Sequence, residues 1–252
     1  MKLKVASYNI HKAVGTDRRR DPQRVLSVLR EIDADIVALQ EVDRRFGRRM
    51  AVLPLDLIHE ATPYVPVPLT MKPDSLGWHG NALLARRDID LLEACAVPLP
   101  TLEPRGAVRA DFAVGGHRIR VVGMHLDLSG LRRRNQISSV LAHIGGCAAP
   151  CPTVMMGDFN EWATHGGCFR AFDDDWRVLA PGRSFPSVRP VAQLDRIVVS
   201  RHWNGVTSRV HHSALSTSAS DHLPVLAEIN LPNFFRQLHA NRATLWPNSA
   251  AT

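Results

Sequence analysis

The chain has 252 residues, of which 45% are hydrophobic and 22% charged, and its formal net charge is +7. This composition is that of an ordinary soluble globular protein, and no apolar run approaches the roughly 18 to 20 residues that a membrane-spanning helix needs. The first ten residues enter a strand-like alternation without the apolar stretch of a signal peptide. We therefore expect a cytoplasmic protein, and we expect it to be a monomer.

The excess of positive charge favours an anionic partner. Much of it is arginine in three clusters, within residues 18–20, 44–49 and 132–134, and the arginine side chain suits phosphate recognition. Arginine used in place of lysine on a solvated surface explains the clusters equally well, and charge alone does not separate nucleic acid from an acidic membrane. The cysteines are too few for a disulfide scaffold and lack the spacing of a zinc site, so we expect reduced, structural thiols at Cys95, Cys147, Cys151 and Cys168.

The predicted elements alternate between strands and helices. In chain order, strands are predicted at 3–10, 35–42, 81–86, 107–114, 117–128, 153–160, 193–200, 205–212 and 223–231. Helices are predicted at 21–32, with Asp21 as N-cap and Pro22 at the first helical position, and at 131–144. Residues 44–79 show no clear periodicity. The simplest architecture is one α/β domain at 1–231, followed by a tail at 232–252 whose Phe234, Phe235 and Trp246 could dock back or touch a bilayer.

The stretch VMMGDFNEW, residues 154–162, combines a buried strand with polar side chains. We expect Gly157 to end the strand and to leave Asp158 and Asn160 at its carboxyl end, on one side of an extended backbone. Ligands gather at that end of open α/β sheets. A strand that simply ends in an Asx turn is an equally good interpretation of this stretch alone.

Several other predicted strands also end on, or begin with, residues that can do chemistry. Six such sets in one domain predict a shared site, and they comprise Asn9, Gln40, Glu41, His125, Asp127, Asp158, Asn160, Asp195, Asp221 and His222. Carboxylate and amide oxygens are hard ligands that suit Mg²⁺ or Mn²⁺ rather than zinc. The sequence has no Walker loop, no GxGxxG and no nucleophile elbow, so water is the expected nucleophile, assisted by histidine.

These residues resemble the endonuclease/exonuclease/phosphatase superfamily, which includes deoxyribonuclease I-like nucleases, sphingomyelinases and inositol polyphosphate 5-phosphatases. The resemblance runs from residue 5 to about residue 229 and rests on an ordered set of motifs: SYNIHK, LQEVD, HGNALLAR, GMHLDL, GDFNEW, LDRIVV and SDHLPV. The forms of the first and third motifs are most similar to a bacterial subgroup of uncertain substrate. The resemblance implies a four-layered α/β sandwich, with two mixed sheets packed face to face and helices outside.

The resemblance also implies a metal-binding side of the site. Glu41 would be the main ligand of a Mg²⁺ or Mn²⁺ ion, with Asn9 and Asp221 near the same ion. Asp158 would orient and deprotonate the attacking water, and Asn160 would help to position it.

On the phosphate side, His222 would contact the scissile phosphate, and Asp195 would fix its tautomer. His125 matches a histidine that assists the leaving group or transition state in some branches. Arg105 lies where some members place a phosphate-contacting residue, although a plain surface arginine is almost as good an interpretation. Asn81 could hold a turn and His79 could be an exposed loop residue instead of binding substrate. His11 and Lys12 could border the site or only terminate the first strand.

The sequence leaves three functions open. The first is a metal-dependent phosphodiesterase, most simply a nuclease that acts on DNA or RNA, because phosphate neutralisation drives binding to nucleic acid. The second is hydrolysis of a phospholipid or a small phosphorylated molecule by the same fold. The third, a catalytically silent binding module, is disfavoured because a pure binder has no need of both a metal ligand and a water-orienting acid.

Overall fold

The structure is a computed structural model that describes residues 2–44, 49–69, 74–100, 105–148 and 150–230. The proposed tail at 232–252, with its three aromatic residues, lies outside the described residues. The same holds for Arg45 and Arg48 of the second arginine cluster. Among the described residues, no helix is both long and apolar enough to cross a membrane.

Within those ranges the strands form two mixed sheets of six strands each. Their bounds are β1 (Lys2–Asn9), β2 (Ile36–Gln40), β3 (Tyr64–Pro66), β4 (Asn81–Arg86), β5 (Asp90–Val97), β6 (Ala107–Val114), β7 (His117–His125), β8 (Thr153–Asp158), β9 (Trp176–Leu179), β10 (Asp195–Ser200), β11 (Asn204–Val210) and β12 (Val225–Asn230). The strand order is β11-β12-β1-β2-β4-β3 in the first sheet and β5-β6-β7-β8-β10-β9 in the second.

The α-helices in the described ranges are α1 (Pro22–Ile32), α2 (Leu55–Ala61), α3 (Gly130–Gly145) and α4 (Ala214–Ala219), and short 3-10 helices lie at His11–Ala13 and Gly167–Ala171. Helices α1, α2 and α4 share an apolar core with the outer face of the first sheet, and α3 shares one with the outer face of the second. A third core fills the space between the sheets, with side chains such as Phe112, Val121 and Met156. The order helix, sheet, sheet, helix confirms the expected four-layered sandwich.

Helix α1 shows how the sequence determines one of these elements. The Asp21 side chain accepts a hydrogen bond from the Arg24 N–H at 3.1 Å, and Pro22 occupies the first turn, where no N–H is needed. The helix ends where Asp33 adopts a left-handed conformation and its N–H bonds to the Leu29 carbonyl. The predicted N-cap and first residue are therefore confirmed.

Several short elements differ from the sequence prediction. Strands β3, β5 and β9 and helices α2 and α4 were not expected, since each is short or has a partly exposed side that blurs its periodicity. Helix α4 is rich in serine and threonine and begins with a capping box between Ser213 and Ser216.

The expectation that Gly157 ends its strand is wrong, because β8 continues to Asp158. Glycine is needed at this position for a different reason. A Cβ here would lie 1.8 Å from the Met124 carbonyl oxygen of the adjacent strand.

Candidate active site

The predicted site residues meet at one edge of the two sheets. Strands β1 and β2 are parallel, as are β7 and β8, so the four carboxyl ends lie at this edge. Strand β10 runs antiparallel to β8 and brings its first residue, Asp195, opposite Asp158, while His125 is the partner of Asp158 on the other side. A hydrogen bond of 3.1 Å from Asn9 Nδ2 to Asp158 Oδ2 joins the first sheet to the second at this point.

Asp158 lies at the centre of this arrangement and is 1% exposed. Its Oδ2 atom is 3.4 Å from His125 Nε2 and 3.7 Å from His222 Nε2. Burial alone would raise the pKa of Asp158, but the charge of His222 and the contacts of His125 outweigh it and hold the pKa well below its usual range. The carboxylate is therefore ionised and surrounded by donors on several sides.

His222 lies between two buried carboxylates. Its Nδ1 is 2.9 Å from Asp195 Oδ2, which also accepts a 2.5 Å hydrogen bond from the Ser184 hydroxyl. Burial would lower the pKa of His222, but Asp195 and then Asp158 raise it to about 10. The ring of Phe185 covers the imidazole at a centroid distance of 4.8 Å. His222 is thus a buried imidazolium at neutral pH, held in place on both of its nitrogen atoms.

This arrangement predicts the titration of His222 in the metal-free protein. Asp195→Asn should lower the His222 pKa by about 1 to 3 units, the range for loss of an adjacent opposite charge. A pH titration of the imidazole carbon resonances by NMR measures it. Glu31→Gln is the matched control, because Glu31 pairs at 2.9 Å with another histidine, His211. An unchanged His222 pKa in Asp195→Asn would show that the carboxylate does not hold the proton.

Glu41 lies beside this centre, immediately after β2. It adopts a left-handed backbone conformation with φ 57° and forms an ion pair with the ammonium group of Lys12. Burial would raise the pKa of Glu41, but His125 and then Lys12 outweigh this effect and lower it. Asp221 faces the same turn from the other side, with Oδ1 3.6 Å from His11 Nδ1. Two carboxylates thus flank the turn that contains residues 11 and 12.

Two groups of residues could in principle hold a metal. Asp158, Asp195 and His222 offer ligand atoms within 4.8 Å of one another, but both nitrogens of His222 already lie against carboxylates. Glu41 instead has a side-chain cation as its partner, which indicates that a positive charge is accommodated there. The oxygens of Glu41, Asn9 and Asp221 are the hard donors that Mg²⁺ and Mn²⁺ prefer, so this second set fits such an ion.

Asn160 does not lie on an extended backbone, and this part of the sequence prediction is wrong. Its φ is 49°, and its N–H donates to Asp158 Oδ1 at 2.9 Å, which is the Asx turn that was the alternative. The turn and the site coexist, because Asp158 uses Oδ1 for the turn and Oδ2 for its neighbours. The Asn160 amide donates to the Leu126 carbonyl at 2.9 Å and is thereby fixed beside Asp158.

The three weaker candidates lie together next to the site. Arg105 Nη1 donates to the same Leu126 carbonyl at 2.8 Å, and His79 Nδ1 is 3.4 Å from the Arg105 carbonyl oxygen while its ring stacks on Trp78. Asn81 donates to the Gly106 carbonyl at 3.1 Å, so it does hold this turn. Its Oδ1 is buried and has no hydrogen-bond partner among the described residues, and Asn81 is the strand partner of Gln40, the residue before Glu41.

Three further residues contact the predicted site residues, and of these only Lys12 was named from the sequence, as one that could border the site. Lys12, Ser184 and Phe185 contact Glu41, Asp195 and His222, respectively. Only Lys12 carried a signal, since it follows the first polar strand end, whereas Ser184 and Phe185 belong to a loop without a pattern. Conversely, Asp127 caps its own turn through the Ser129 N–H and contacts none of the site histidines in the described structure.

Comparison with known proteins agrees with the geometry. A sequence profile of the Endonuclease/Exonuclease/phosphatase family matches residues 6–222. The chain is 31% identical over 249 residues to the uncharacterized protein YbhP of Escherichia coli K12, covering 91% of this chain and 96% of that one.

Two solved structures illustrate the similarity in fold. An endonuclease/exonuclease/phosphatase from Bacteroides vulgatus is similar with a TM-score of 0.71 at 17% identity, over 92% of this chain and all of that one. D. rerio TDP2, in complex with a single-strand DNA product, gives 0.68 at 17% identity, over 91% of this chain and 99% of that one. With the profile match and the extended identity, the similarity shows that this chain belongs to the endonuclease/exonuclease/phosphatase family, whose members hydrolyse phosphoester bonds and generally use a divalent metal.

Proposed function

We propose that the protein is a Mg²⁺-dependent phosphodiesterase in which activated water attacks phosphorus in line with the leaving group. The main support is the buried Asp158 carboxylate, which lies 3.4 and 3.7 Å from the Nε2 atoms of His125 and His222. A carboxylate and two imidazoles around one point can accept a proton, donate a proton and stabilise negative charge. These are the requirements for displacement at a phosphate.

Glu41 would hold the metal, with Asn9 and Asp221 beside it. Mg²⁺ would supply charge that polarises the phosphoryl oxygens and stabilises the transition state. The protein's own side chains position the water and transfer its proton. Asp158 orients the water and accepts its proton, and the amide of Asn160, fixed on the Leu126 carbonyl, limits where that water can lie.

The histidines act on the phosphate side. The His222 imidazolium, held by Asp195, stabilises the charge that develops on the phosphoryl oxygens. His125 can protonate the leaving oxygen. We assign Arg105 and His79 to binding of the flanking phosphate or sugar, since they lie together beside the site, and the buried Asn81 to holding the turn that carries His79.

Nucleic acid is our first candidate substrate. The chain is basic, and the similar D. rerio TDP2 is known with a single-strand DNA product. The third arginine cluster needs a correction, however, because Arg133 is 7% exposed and bonds to Glu161 at 3.1 Å. Only Arg132 and Arg134 of that cluster are accessible for phosphate contacts.

One observation favours a phospholipid as the second candidate. Among the described residues, five of the seven exposed large hydrophobic side chains form what we call the apolar rim: Leu128, Leu131, Trp162, Val188 and Val191. The segments that carry these side chains are neighbours, because Arg133 of α3 bonds to Glu161 next to Trp162, and Trp162 packs edge-on against Phe185 at 6.4 Å. Since Phe185 also covers His222, the apolar rim borders the site, where acyl chains or stacked bases could contact it.

Salt dependence separates the two substrate classes. For nucleic acid, log affinity should fall linearly with log salt, with a slope of about 0.7 to 0.9 per phosphate contacted. Replacing Arg132 and Arg134 with glutamine should flatten that slope while hydrolysis of a small nitrophenyl diester hardly changes. The matched control replaces Arg177 on β9 and Arg201 just after β10, two exposed arginines at the end of this strand pair remote from Asp195 and the site.

A lipid substrate would give a different pattern. Binding would depend on the anionic fraction of vesicles and would weaken in Trp162→Ala and Leu131→Ser, but not in Leu55→Ser outside the apolar rim. If the protein hydrolyses neither polynucleotides, phospholipids nor small diesters in Mg²⁺, the phosphodiesterase proposal is wrong and a binding role replaces it.

A further inference from the structure

The outer face of the second sheet carries a cavity that the proposed reaction does not use. It has a volume of about 540 Å³, and its walls include Glu93, Cys95, Arg109, Arg118, Arg120 and Cys147. We call it the arginine cavity. Arg120 precedes His125 by five residues on β7, which corresponds to about 17 Å along the strand. The arginine cavity is therefore separate from the active site.

The sheet register explains why these residues meet. Cys95 is opposite Arg109 on β5 and β6, and Asp111 is opposite Arg120 on β6 and β7. The same face is apolar under α3, where Val122 and Met124 pack against the helix. The charged residues begin where α3 ends, and the end of the helix, with His143, forms the other wall. The register of β5, β6 and β7 and the end of α3 therefore form the walls of the cavity.

The charges in the arginine cavity do not balance. Three guanidinium groups, of Arg109, Arg118 and Arg120, face two carboxylates, of Glu93 and Asp111, which leaves an excess of one positive charge. Asp111 is fully buried and accepts two hydrogen bonds of 2.8 Å from the Arg120 guanidinium. Glu93 is shared between the other two arginines, and its side chain is 51% exposed.

Among the three arginines of the cavity, Arg109 is the one with a buried donor that has no hydrogen-bond partner in the described structure. Its side chain is 4% exposed, and its charged partner Glu93 lies at the open side. Its Nη1 donates to the Cys147 sulfur at 2.8 Å, which is a weak acceptor. Its Nε is buried and has no hydrogen-bond partner among the described residues. A buried guanidinium in this state is stabilised by an anion that takes the place of Glu93 and accepts from Nε and Nη2 together.

We propose that the arginine cavity binds a small oxyanion, such as the phosphate group of a small phosphorylated molecule, on Arg109 and Arg118. Glu93 holds the two arginines in the absence of the ligand and is displaced when the anion enters. The volume is within the range of cavities that hold small molecules rather than a single ion. Planar guanidinium groups match the oxygen spacing of phosphate.

The thiols of the cavity provide a readout that is specific to it. Cys95 and Cys147 are half-buried in the cavity wall, whereas Cys151 and Cys168 are buried. The experiment follows alkylation of each cysteine of the full chain by iodoacetamide with mass spectrometry, in a chelator and at fixed ionic strength. Inorganic phosphate is compared with chloride. We expect phosphate to slow the alkylation of Cys147 at least about threefold, because the bound anion covers the thiol next to Arg109.

Two variants with opposite expectations test the assignment. Arg109→Gln should abolish the protection, and Glu93→Gln should give half-protection at a severalfold lower phosphate concentration, because the competing carboxylate is gone. Asp158→Asn should not change it, which distinguishes the arginine cavity from phosphate in the active site. Equal alkylation in phosphate and chloride, or no shift in the folded Glu93→Gln variant, would overturn the proposal without affecting the proposed phosphodiesterase.

Discussion

Replacing Asp158 with asparagine should lower turnover by roughly 10² to 10⁴ while substrate binding persists, the range for removal of a general base. Asparagine keeps the size of the side chain and can still accept the Asn160 N–H through its oxygen. It loses the charge that faces His125 and His222 and that accepts the proton of water. Single-turnover rates and substrate affinity, measured separately in Mg²⁺, give the two effects.

Asp127→Asn is the matched control for this experiment. Asp127 lies just after the end of β7, as Asp158 lies at the end of β8, and it is 8% exposed. Each carboxylate accepts a 2.9 Å hydrogen bond from the N–H two residues ahead, so the two turns are of the same kind. If Asp158 only caps its strand, both variants should lose melting temperature and keep the rate of their folded fraction. A selective loss of rate in Asp158→Asn would instead identify it as part of the chemistry.

Glu41→Gln should weaken Mg²⁺ binding on the order of 100-fold or more and reduce activity correspondingly. Changes in residues that only support metal ligands already cost about 10- to 100-fold, and Glu41 would contact the ion itself. The fold should survive, because the glutamine amide has the same shape. Calorimetric titration with Mg²⁺ measures the affinity, and an unchanged value would show that the metal assignment is wrong. Zinc should substitute poorly, since the ligand set has no sulfur.

Lys12→Met should change the Mg²⁺ affinity of the same site in the opposite direction. The Lys12 ammonium is the present partner of the Glu41 carboxylate, so it competes with any cation that Glu41 binds. Its removal should tighten Mg²⁺ binding.

Glu228→Gln is the control for Glu41→Gln. It also removes an acidic residue that pairs with a lysine, but Glu228 and Lys2 lie on β12 and β1, away from the site, so Mg²⁺ affinity should not change.

The long elements, and the edge of the sheets on which the site lies, could be predicted from the sequence. Strands such as β8 and β10 are fully buried runs bounded by polar residues, and α1 carries its own cap and an apolar face. These signals are local, so they can be read without the fold. Because parallel strands end at the same edge of a sheet, the positions of Asn9, His125 and Asp158 at strand ends were also enough to predict that they meet.

The contacts that those side chains make depend on the tertiary structure. The bond from Asn9 to Asp158 spans 149 residues of sequence, and the bond from His222 to Asp195 joins the segment before β12 of the first sheet to β10 of the second. No sequence pattern predicts that Phe185 covers His222 or that Arg133 is buried against Glu161. Nor does any pattern predict that the Nε of Arg109 is buried without a hydrogen-bond partner in the described structure. The burial, charge and hydrogen bonding of a side chain depend on which distant strands lie beside it, and sequence periodicity determines only the face on which it lies.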